Sequence, residues 1–387
     1  MLTDRSRRTA RPFLRGATAG LALAATLASA QPTVDGFDPN PNGTVTRMTV
    51  QPDGKVLVAG FFTQIAAQFR SRFVRLAADG TFDGGFASTG PDNTIIDASL
   101  QPDGKIVIGG AFTFLGATAR NRVARLNTNG TLDSAFNPNA DGDVSAVIVL
   151  PNGKIIIGGA FSTVGGLPRS SVARLNADGS VDPGFDAQGN SFTVIRALAL
   201  QADGRILVAG SLSGFGAGQF YGGLTRVHAD GALDGSFTAN VASTVWDVVI
   251  EGNGDILIGG DFGTVNSQQR RAIARLDASG TLYTDFTPSI PSDRVNSVVV
   301  QADGRILLGG SFTQVNGTAR AGIARLTHNG SLDTTLDIGA NGGIVNDLVE
   351  QAGGRVLVGG TFTQLGTQPR SRIGRIQLQE VFANGFD

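Results

Sequence analysis

The residues best suited to chemistry in this chain are charged side chains that recur at a fixed spacing. One arginine occurs seven times, in segments such as "VARL": Arg75, Arg125, Arg174, Arg226, Arg275, Arg325 and Arg375. An aspartate follows eight residues later in five copies, and the N-terminus supplies a sixth: Asp83, Asp133, Asp182, Asp234, Asp333 and Asp35. Only the fifth copy departs, with Tyr283 and a shifted Asp285.

Two interpretations of these charges compete. A ring of guanidinium groups could grip an anionic polymer. However, a residue used equally in every copy is usually part of the scaffold, and a buried arginine must be paired. The aspartates match the arginines in number, so we predict a structural ladder of Arg–Asp ion pairs.

The fourth copy is irregular and carries the candidate binding residues. Its loop "SGFGAGQFYGG" contains Phe215, Phe220 and Tyr221, and Trp246 follows in the next predicted strand. Exposed aromatic side chains on loops often hold sugars or peptides, so we predict a binding site there. In the alternative interpretation, this copy has diverged and its aromatics fill the gap left by Leu212.

Metal and histidine chemistry have weak support. The segment "DPNPNG" places Asp38, Asn40 and Asn42 at the spacing of the first half of a calcium loop. The bidentate glutamate is missing, because Thr49 stands at position twelve, and the same residues suit a turn. The two histidines lie one hundred residues apart, so we expect no zinc site, no cofactor and no catalytic residue.

The elements that position these residues form a repeat. Segments such as "QPDGKIVIGGAF" return with a turn glycine every 49 to 51 residues: Gly54, Gly104, Gly153, Gly204, Gly254, Gly304 and Gly354. In each copy an Asp-Gly pair or a close variant separates two β-rich runs. This predicts a hairpin with positive φ at both turn positions. A second hairpin follows through the arginine segment, giving four short antiparallel strands in each copy.

Four short strands cannot shield both of their faces alone, but seven such sheets can if they stack around an axis. The runs "KIVIGG" and "RILLGG" are apolar at successive positions, which is typical of strands covered on both faces. The Gly-Gly pair suits close packing or a bulge, and the aromatic residue two positions later suits a core wedge. The sequence therefore predicts an all-β, seven-bladed β-propeller of four-stranded antiparallel blades over residues 31–378.

Ring closure is predicted to use the N-terminal strand. The seventh copy has no final Asp-Gly turn, whereas "TVDGF", residues 33–37, matches the missing outer strand. Exchanging that strand removes free sheet edges, which otherwise invite aggregation. In the rival arrangement, Phe382 and Phe386 complete their own blade and residues 31–37 stay loose.

With these motifs laid out, the chain resembles the delta-60 repeat family of bacterial exported proteins. The turn, the Gly-Gly pair and the "ARL" segment recur in register from residue 31 to about 378. The resemblance implies a β-propeller and brings no activity or ligand. Residues 379–387, "QEVFANGFD", are predicted to be a C-terminal tail.

The N-terminus indicates export. Residues 1–30 combine several arginines, a short apolar run and an Ala-Ser-Ala ending, which predicts a signal peptide. The apolar run is too short to span a membrane. The chain has no cysteine, so its core must hold the fold without disulfides. A periplasmic, cell-surface or extracellular location is expected.

A net charge of −1 gives no basic face for nucleic acid. The sequence favours a monomeric, non-catalytic binding or scaffold module that holds a protein or carbohydrate on one face of the propeller. The alternative is a lyase or hydrolase that acts on polysaccharide at the propeller mouth, but such a site needs convergent acids.

Overall fold

The computed structural model describes residues 31–87, 90–189, 193–215, 222–291 and 293–378. The predicted signal peptide (1–30) and tail (379–387) lie outside the described residues, and so do Phe220 and Tyr221. The fold is all-β, and each repeat forms an antiparallel sheet built around three main strands.

The three main strands of each repeat follow one another in sequence and in space. The inner strands are Val45–Val50, Ile95–Leu100, Asp143–Val149, Val194–Leu200, Val245–Ile250, Val295–Val300 and Val345–Gln351. The middle strands are Val56–Gly60, Ile106–Gly110, Ile155–Ala160, Ile206–Leu212, Ile256–Gly260, Ile306–Gly310 and Arg355–Gly360. The third strands are Phe73–Leu76, Val123–Leu126, Val172–Leu175, Gly222–Val227, Ile273–Leu276, Ile323–Leu326 and Ile373–Gln377.

Short two-residue strands lie in the loops between the middle and third strands. They pair as Gln64–Ile65 with Gln68–Phe69, Phe114–Leu115 with Thr118–Ala119, Thr163–Val164 with Leu167–Pro168, Thr264–Val265 with Gln268–Gln269, Gln314–Val315 with Thr318–Ala319, and Gln364–Leu365 with Gln368–Pro369. The remaining short strands are Thr33–Val34, Val241–Ala242 and Ala340–Asn341.

The predicted fourth strand is reduced to a single bridge in repeats one to six, for example Leu76 with Phe82. The chain cannot continue as a strand because the next residue, Asp83, begins a turn: its Oδ1 accepts the N–H of Gly85 at 3.0 Å. The sheet of the fourth repeat continues through a bridge from Gly222 to Val241 into short strands of the fifth repeat, and the last sheet has a fourth strand. Thr33–Val34 pairs antiparallel with Ile373–Gln377 there.

The hairpin between inner and middle strands differs from the predicted two-residue turn. Gly54 has φ of 81°, whereas Asp53 is not among the residues with positive φ. The Gly54 N–H bonds to the carbonyl of Gln51, and the Gln51 N–H bonds to that of Lys55, both at 2.8 Å. This is the three-residue turn with one left-handed glycine, so the prediction of two positive φ values was wrong in six repeats. In the seventh, Gly353 and Gly354 have φ of 77° and 63°, as predicted.

The Gly-Gly pair serves two contacts. A Cβ at Gly109 would lie 2.7 Å from a methyl of Val144 in the next repeat, and one at Gly110 would lie 2.2 Å from the Thr94 carbonyl. The first glycine therefore lets consecutive sheets pack closely. The second lets the backbone of the inner strand approach closely beside its register shift. Gly359 makes the first kind of contact with Val45, which joins the seventh repeat to the first.

The core is divided into clusters that lie between neighbouring sheets. One contains Val45, Val56 and Phe62 of the first repeat with Leu357 and Ile373 of the seventh. The predicted aromatic wedges are confirmed as core, at most 2% exposed: Phe62, Phe112, Phe161, Phe262, Phe312 and Phe362. Within the described ranges, no helix combines the length and apolar character of a membrane span.

Candidate functional site: the central cavity

The inner strands of all seven repeats line one cavity of about 880 Å³, called the central cavity below. Each inner strand carries a register shift against its middle strand. The residues at the shifts are Thr46, Ile96, Ser145, Arg196, Trp246, Asn296 and Asn346. A bulge re-aims side chains, and these residues and those that follow them line the cavity.

Several polar side chains of the cavity link one repeat to the backbone of the next. Three carboxylates each accept an N–H of the following repeat: Asp97 from Val147 (2.8 Å), Asp247 from Val298 (2.8 Å) and Asp347 from Met48 (2.6 Å). Others donate to the next repeat's carbonyls: Ser145 to Ile195 (2.9 Å), Asn296 to Val345 (2.7 Å) and Asn346 to Val45 (2.8 Å). These bonds, called the lacing below, replace backbone pairing between neighbouring inner strands.

One cation lies among the acids. Arg47 Nε is 3.0 Å from Asp97 Oδ1, and its Nη1 is 3.4 Å from Asp347 Oδ1. Burial raises the pKa of Asp347 to about 7, although the charge of Arg47 and the Met48 N–H oppose the rise. Burial also raises the pKa of Asp247. The carboxylate of Asp97 raises the pKa of Arg47, so this guanidinium stays charged.

A different arrangement occurs where the fourth, fifth and sixth repeats meet. The guanidinium carbons of Arg196 and Arg294 lie 4.6 Å and 4.5 Å from the centre of the Trp246 ring. Desolvation, and then the charge of Arg294, lower the pKa of Arg196. The indole Nε1 of Trp246 and Nε of Arg294 are buried without a hydrogen-bond partner. We call these three residues the Arg–Trp–Arg site.

The repeated arginines lie elsewhere, because the cavity lining does not include them. Arg125 is typical: its Nε is 2.9 Å from Asp133 Oδ2, its Nη1 donates to the Ala177 carbonyl of the next repeat, and it stacks on Phe136. Six such ion pairs are present: Arg75–Asp83, Arg125–Asp133, Arg174–Asp182, Arg226–Asp234, Arg325–Asp333 and Arg375–Asp35. The structure thus brings the predicted partners together, including the pair contributed by the N-terminus.

The repeat pattern itself matches a known family model. The match covers residues 51–86, 101–136, 150–185, 201–237, 251–286, 301–336 and 351–378, more than half of the chain. The family is described as a domain of unknown function (DUF5122) with a β-propeller fold. The chain belongs to the DUF5122 β-propeller family.

Several solved structures are similar to this DUF5122 chain. The WD40 β-propeller domain of Doa1 has 12% identity, a TM-score of 0.59, and coverage of 90% of this chain and 98% of its own. Virginiamycin B lyase from Staphylococcus aureus has 14% identity, a TM-score of 0.58, and coverage of 90% and 100%. YCF48 bound to D1 peptide has 11% identity, a TM-score of 0.50, and coverage of 92% and 99%.

Such low identities show a shared fold and nothing about activity. Among curated proteins, none matches the chain.

In the fifth DUF5122 repeat the ladder arginine is paired with a different carboxylate. Tyr283 replaces the usual aspartate, and Arg275 pairs instead with Glu251, Nε to Oε2 at 2.7 Å. Glu251 stands where most other repeats have glutamine. The Tyr283 hydroxyl donates to Asp255, which occupies a position held elsewhere by lysine or arginine. Aligning the repeats could have found this exchange, because all three departures fall in one copy.

The predicted aromatic binding loop needs correction. Phe215 is fully buried in a core cluster with Leu212 and Phe185, so its prediction as an exposed contact was wrong. Its position matches the alternative interpretation, in which an aromatic fills the space beside Leu212. Trp246 is half-buried and lines the central cavity, where the structure places it with Arg196 and Arg294.

Sequence reasoning missed Arg196 and Arg294. The available signal was their departure from the repeat, since Arg196 takes a position held by Thr46 and Ser145 in other copies.

The weak calcium candidates serve the turn before the first inner strand. Asn42 Oδ1 accepts the N–H groups of Thr63 and Gln64 at 2.9 and 3.0 Å. Asn40 has φ of 45°, and Asp38 lies 3.6 Å from Arg370. In the part of the chain that the structure describes, no three His, Asp or Glu side chains are grouped to hold a metal.

Replacing Arg125 with alanine tests the ladder. Arg125→Ala leaves a largely buried Asp133 short of its main partner, so we expect the free energy of unfolding to fall by about 3 kcal/mol. Lys105→Ala is the matched control, because Lys105 contacts the same carboxylate at 2.9 Å but is one-third exposed. We expect that control to lose less than ~1 kcal/mol in urea unfolding. Equal losses would contradict a special role for Arg125.

The acid cluster gives a pH dependence. The folded protein keeps the Asp347 proton up to a pKa of about 7, against 3.8 ordinarily, so ionising Asp347 costs stability as pH rises through this window. Asp347→Asn can keep the bond from Met48. We therefore expect its melting temperature to match wild type near pH 4 and exceed it by roughly 5 °C at pH 8.

The control for this measurement is Asp303→Asn, which removes an exposed turn carboxylate and should leave the pH profile unchanged. A difference between wild type and Asp347→Asn that is constant with pH would refute the assignment.

Proposed function

We propose that this DUF5122 protein is a non-catalytic binding module that holds a protein or carbohydrate ligand at the central cavity. The observation that carries the proposal is the Arg–Trp–Arg site, where an aromatic ring and two guanidinium groups line an open cavity. A cavity of 880 Å³ falls within the range of small-molecule and oligomer sites. Buried donors without partners are the groups that a ligand would satisfy.

The cavity acids support binding over catalysis. Asp97, Asp247 and Asp347 each accept a backbone N–H of the next repeat, so their oxygens already serve the fold. A general acid must instead reach a proton on the substrate.

The alternative is a polysaccharide lyase or hydrolase, and one observation favours it. Asp347 has a pKa of about 7, which suits general acid catalysis near neutral pH. The similar structures include both types by name, since one is a lyase and another was solved with a peptide bound. Because identity to both is below 15%, they do not favour either.

Export completes the proposed function. Residues 1–30 would direct the chain out of the cytoplasm, and the domain would act as a monomer in the periplasm, at the cell surface or outside the cell. We also infer that its DUF5122 repeats are the delta-60 repeats that the sequence resembles.

We further infer that the N-terminal strand closes the ring. Thr33–Val34 pairs with the third strand of the seventh repeat, the Asp35 N–H donates to the Arg375 carbonyl, and Phe37 is fully buried. Arg375 Nε also lies 2.6 Å from Asp35 Oδ2. Together these contacts would complete a fourth strand and remove a free edge.

Deleting residues 31–37 tests ring closure. The deletion removes a buried aromatic side chain and leaves Arg375 without its carboxylate, so we expect the melting temperature to fall by about 10 °C. Deleting only residues 31–32 is the control, because the paired strand remains. An unchanged melting temperature after deletion of residues 31–37 would contradict ring closure by the N-terminal strand.

Glycan and peptide arrays test the binding function. We expect purified residues 31–387 to bind a defined set of probes and Trp246→Ala to lose at least ~10-fold in affinity for them. Phe69→Ala is the matched control, since Phe69 is 82% exposed on a loop hairpin away from the cavity lining. Binding that survives in Trp246→Ala would place the site elsewhere, and release of reducing sugar would favour the enzyme.

A further inference from the structure

We propose that the Arg–Trp–Arg site recognises the carboxylate of an acidic oligosaccharide, such as a chain of uronic acids. This inference deepens the proposed function and rests on it. It names the chemical group that the central cavity selects.

The site offers donors and no acceptors of its own. In the part of the chain that the structure describes, neither the Arg196 nor the Arg294 guanidinium has an ion pair or a hydrogen bond to a protein group. Trp246 Nε1 is a third donor, buried without a partner. A carboxylate accepts from several N–H groups at once, and arginine presents a planar fork that matches it.

Other arginines of this protein show what a purely structural role looks like. Each ladder arginine has a carboxylate partner, and Arg75 for example also donates to the Thr128 carbonyl of the next repeat at 2.6 Å. Arg47, in the cavity itself, is held by Asp97 and Asp347. Two like charges stacked on one indole ring without an ion-pair partner cost folding energy, and a bound anion would offset that cost.

The site also sits where the lacing is interrupted. The fourth repeat has Ala197 at the position of the lacing aspartates and Arg196 at the position of the lacing asparagines. Neither side chain bonds to the backbone of the fifth repeat in the described structure. The lacing bond between the fourth and fifth repeats is therefore missing among these residues, and Arg196 occupies its position.

The cavity acids do not block an anion at this site. Asp247 follows Trp246 directly, but its Oδ2 and Oδ1 accept the N–H groups of Val298 and Val248 at 2.8 and 2.9 Å. Asp97 and Asp347 are held by Arg47 on the far repeats. These acids therefore each have a partner within the protein, whereas Arg196 and Arg294 have no ion-pair partner among the described residues.

The rest of the lining favours a sugar over a peptide. Hydroxyl and amide side chains recur around the cavity: Thr46, Thr49, Ser99, Ser145, Asn296 and Asn346. Most of them donate to a carbonyl of the fold, but their oxygens can still accept from sugar hydroxyls, and Asn296 Oδ1 is buried without a partner. A peptide terminus would also bring a carboxylate, so the experiment below compares it with the sugar.

Tryptophan fluorescence provides a direct test, because Trp246 is the only tryptophan in the chain. We expect tri-galacturonate to give a saturable change in emission, and neutral tri-galactose to bind at least ~10-fold more weakly. Arg196→Gln and Arg294→Gln should each weaken the acidic probe by about tenfold or more. Arg355→Gln, which removes an arginine outside the cavity, should bind as wild type does.

The remaining outcomes separate this inference from the proposed function. Equal binding of tri-galactose, or acidic binding unaffected by both arginine variants, would overturn carboxylate recognition and leave cavity binding standing. A C-terminal peptide carboxylate that binds more tightly than tri-galacturonate would overturn the sugar assignment. No saturable change with any of these probes would overturn the inference, while the arrays would still decide whether the protein binds a ligand. Melting curves of each variant confirm that it is folded.

Discussion

The structure depends on apolar contact between neighbouring sheets. No repeat encloses a core of its own, because each cluster combines side chains from two consecutive repeats, and one cluster joins the seventh to the first. Burial of apolar area is the main favourable term in folding, so each repeat is stable only beside its neighbours. The Gly-Gly pairs permit this contact, since a side chain at Gly109 would collide with Val144 of the next repeat.

The ion pairs of the ladder and the hydrogen bonds of the lacing then fix how neighbouring sheets are placed relative to each other. The ladder arginines of all repeats but the sixth donate to a turn carbonyl of the next repeat, and the lacing links the inner strands around the cavity. Both solve the same problem: buried polar groups need partners, and in the described residues neighbouring inner strands share no backbone pairing. The fifth repeat shows how strict the requirement is. Losing its ladder aspartate is matched by a carboxylate at Glu251, which keeps Arg275 paired.

The Arg–Trp–Arg site differs from the ladder, whose arginines all have carboxylate partners. The ladder arginine is paired in all seven repeats and so belongs to the scaffold. Arg196 and Arg294 occur once each and have no ion pair in the described part of the chain, which points to a function rather than to the fold. Functional sites often break local rules that the rest of a protein obeys. The break here combines lost lacing at Ala197, unpartnered guanidinium groups and a buried indole N–H on one side of the cavity.

The sequence alone determined the repeat, its three main strands, the buried wedges and the arginine and aspartate positions, because these follow from local patterns repeated seven times. It failed where a contact joins residues far apart. Phe215 reads as an exposed loop residue until its neighbours Leu212 and Phe185 are in place. Arg196, Trp246 and Arg294 lie about fifty residues apart in the chain. Only the packing of three consecutive repeats brings the two guanidinium groups over the Trp246 ring, so the tertiary structure decided the candidate site.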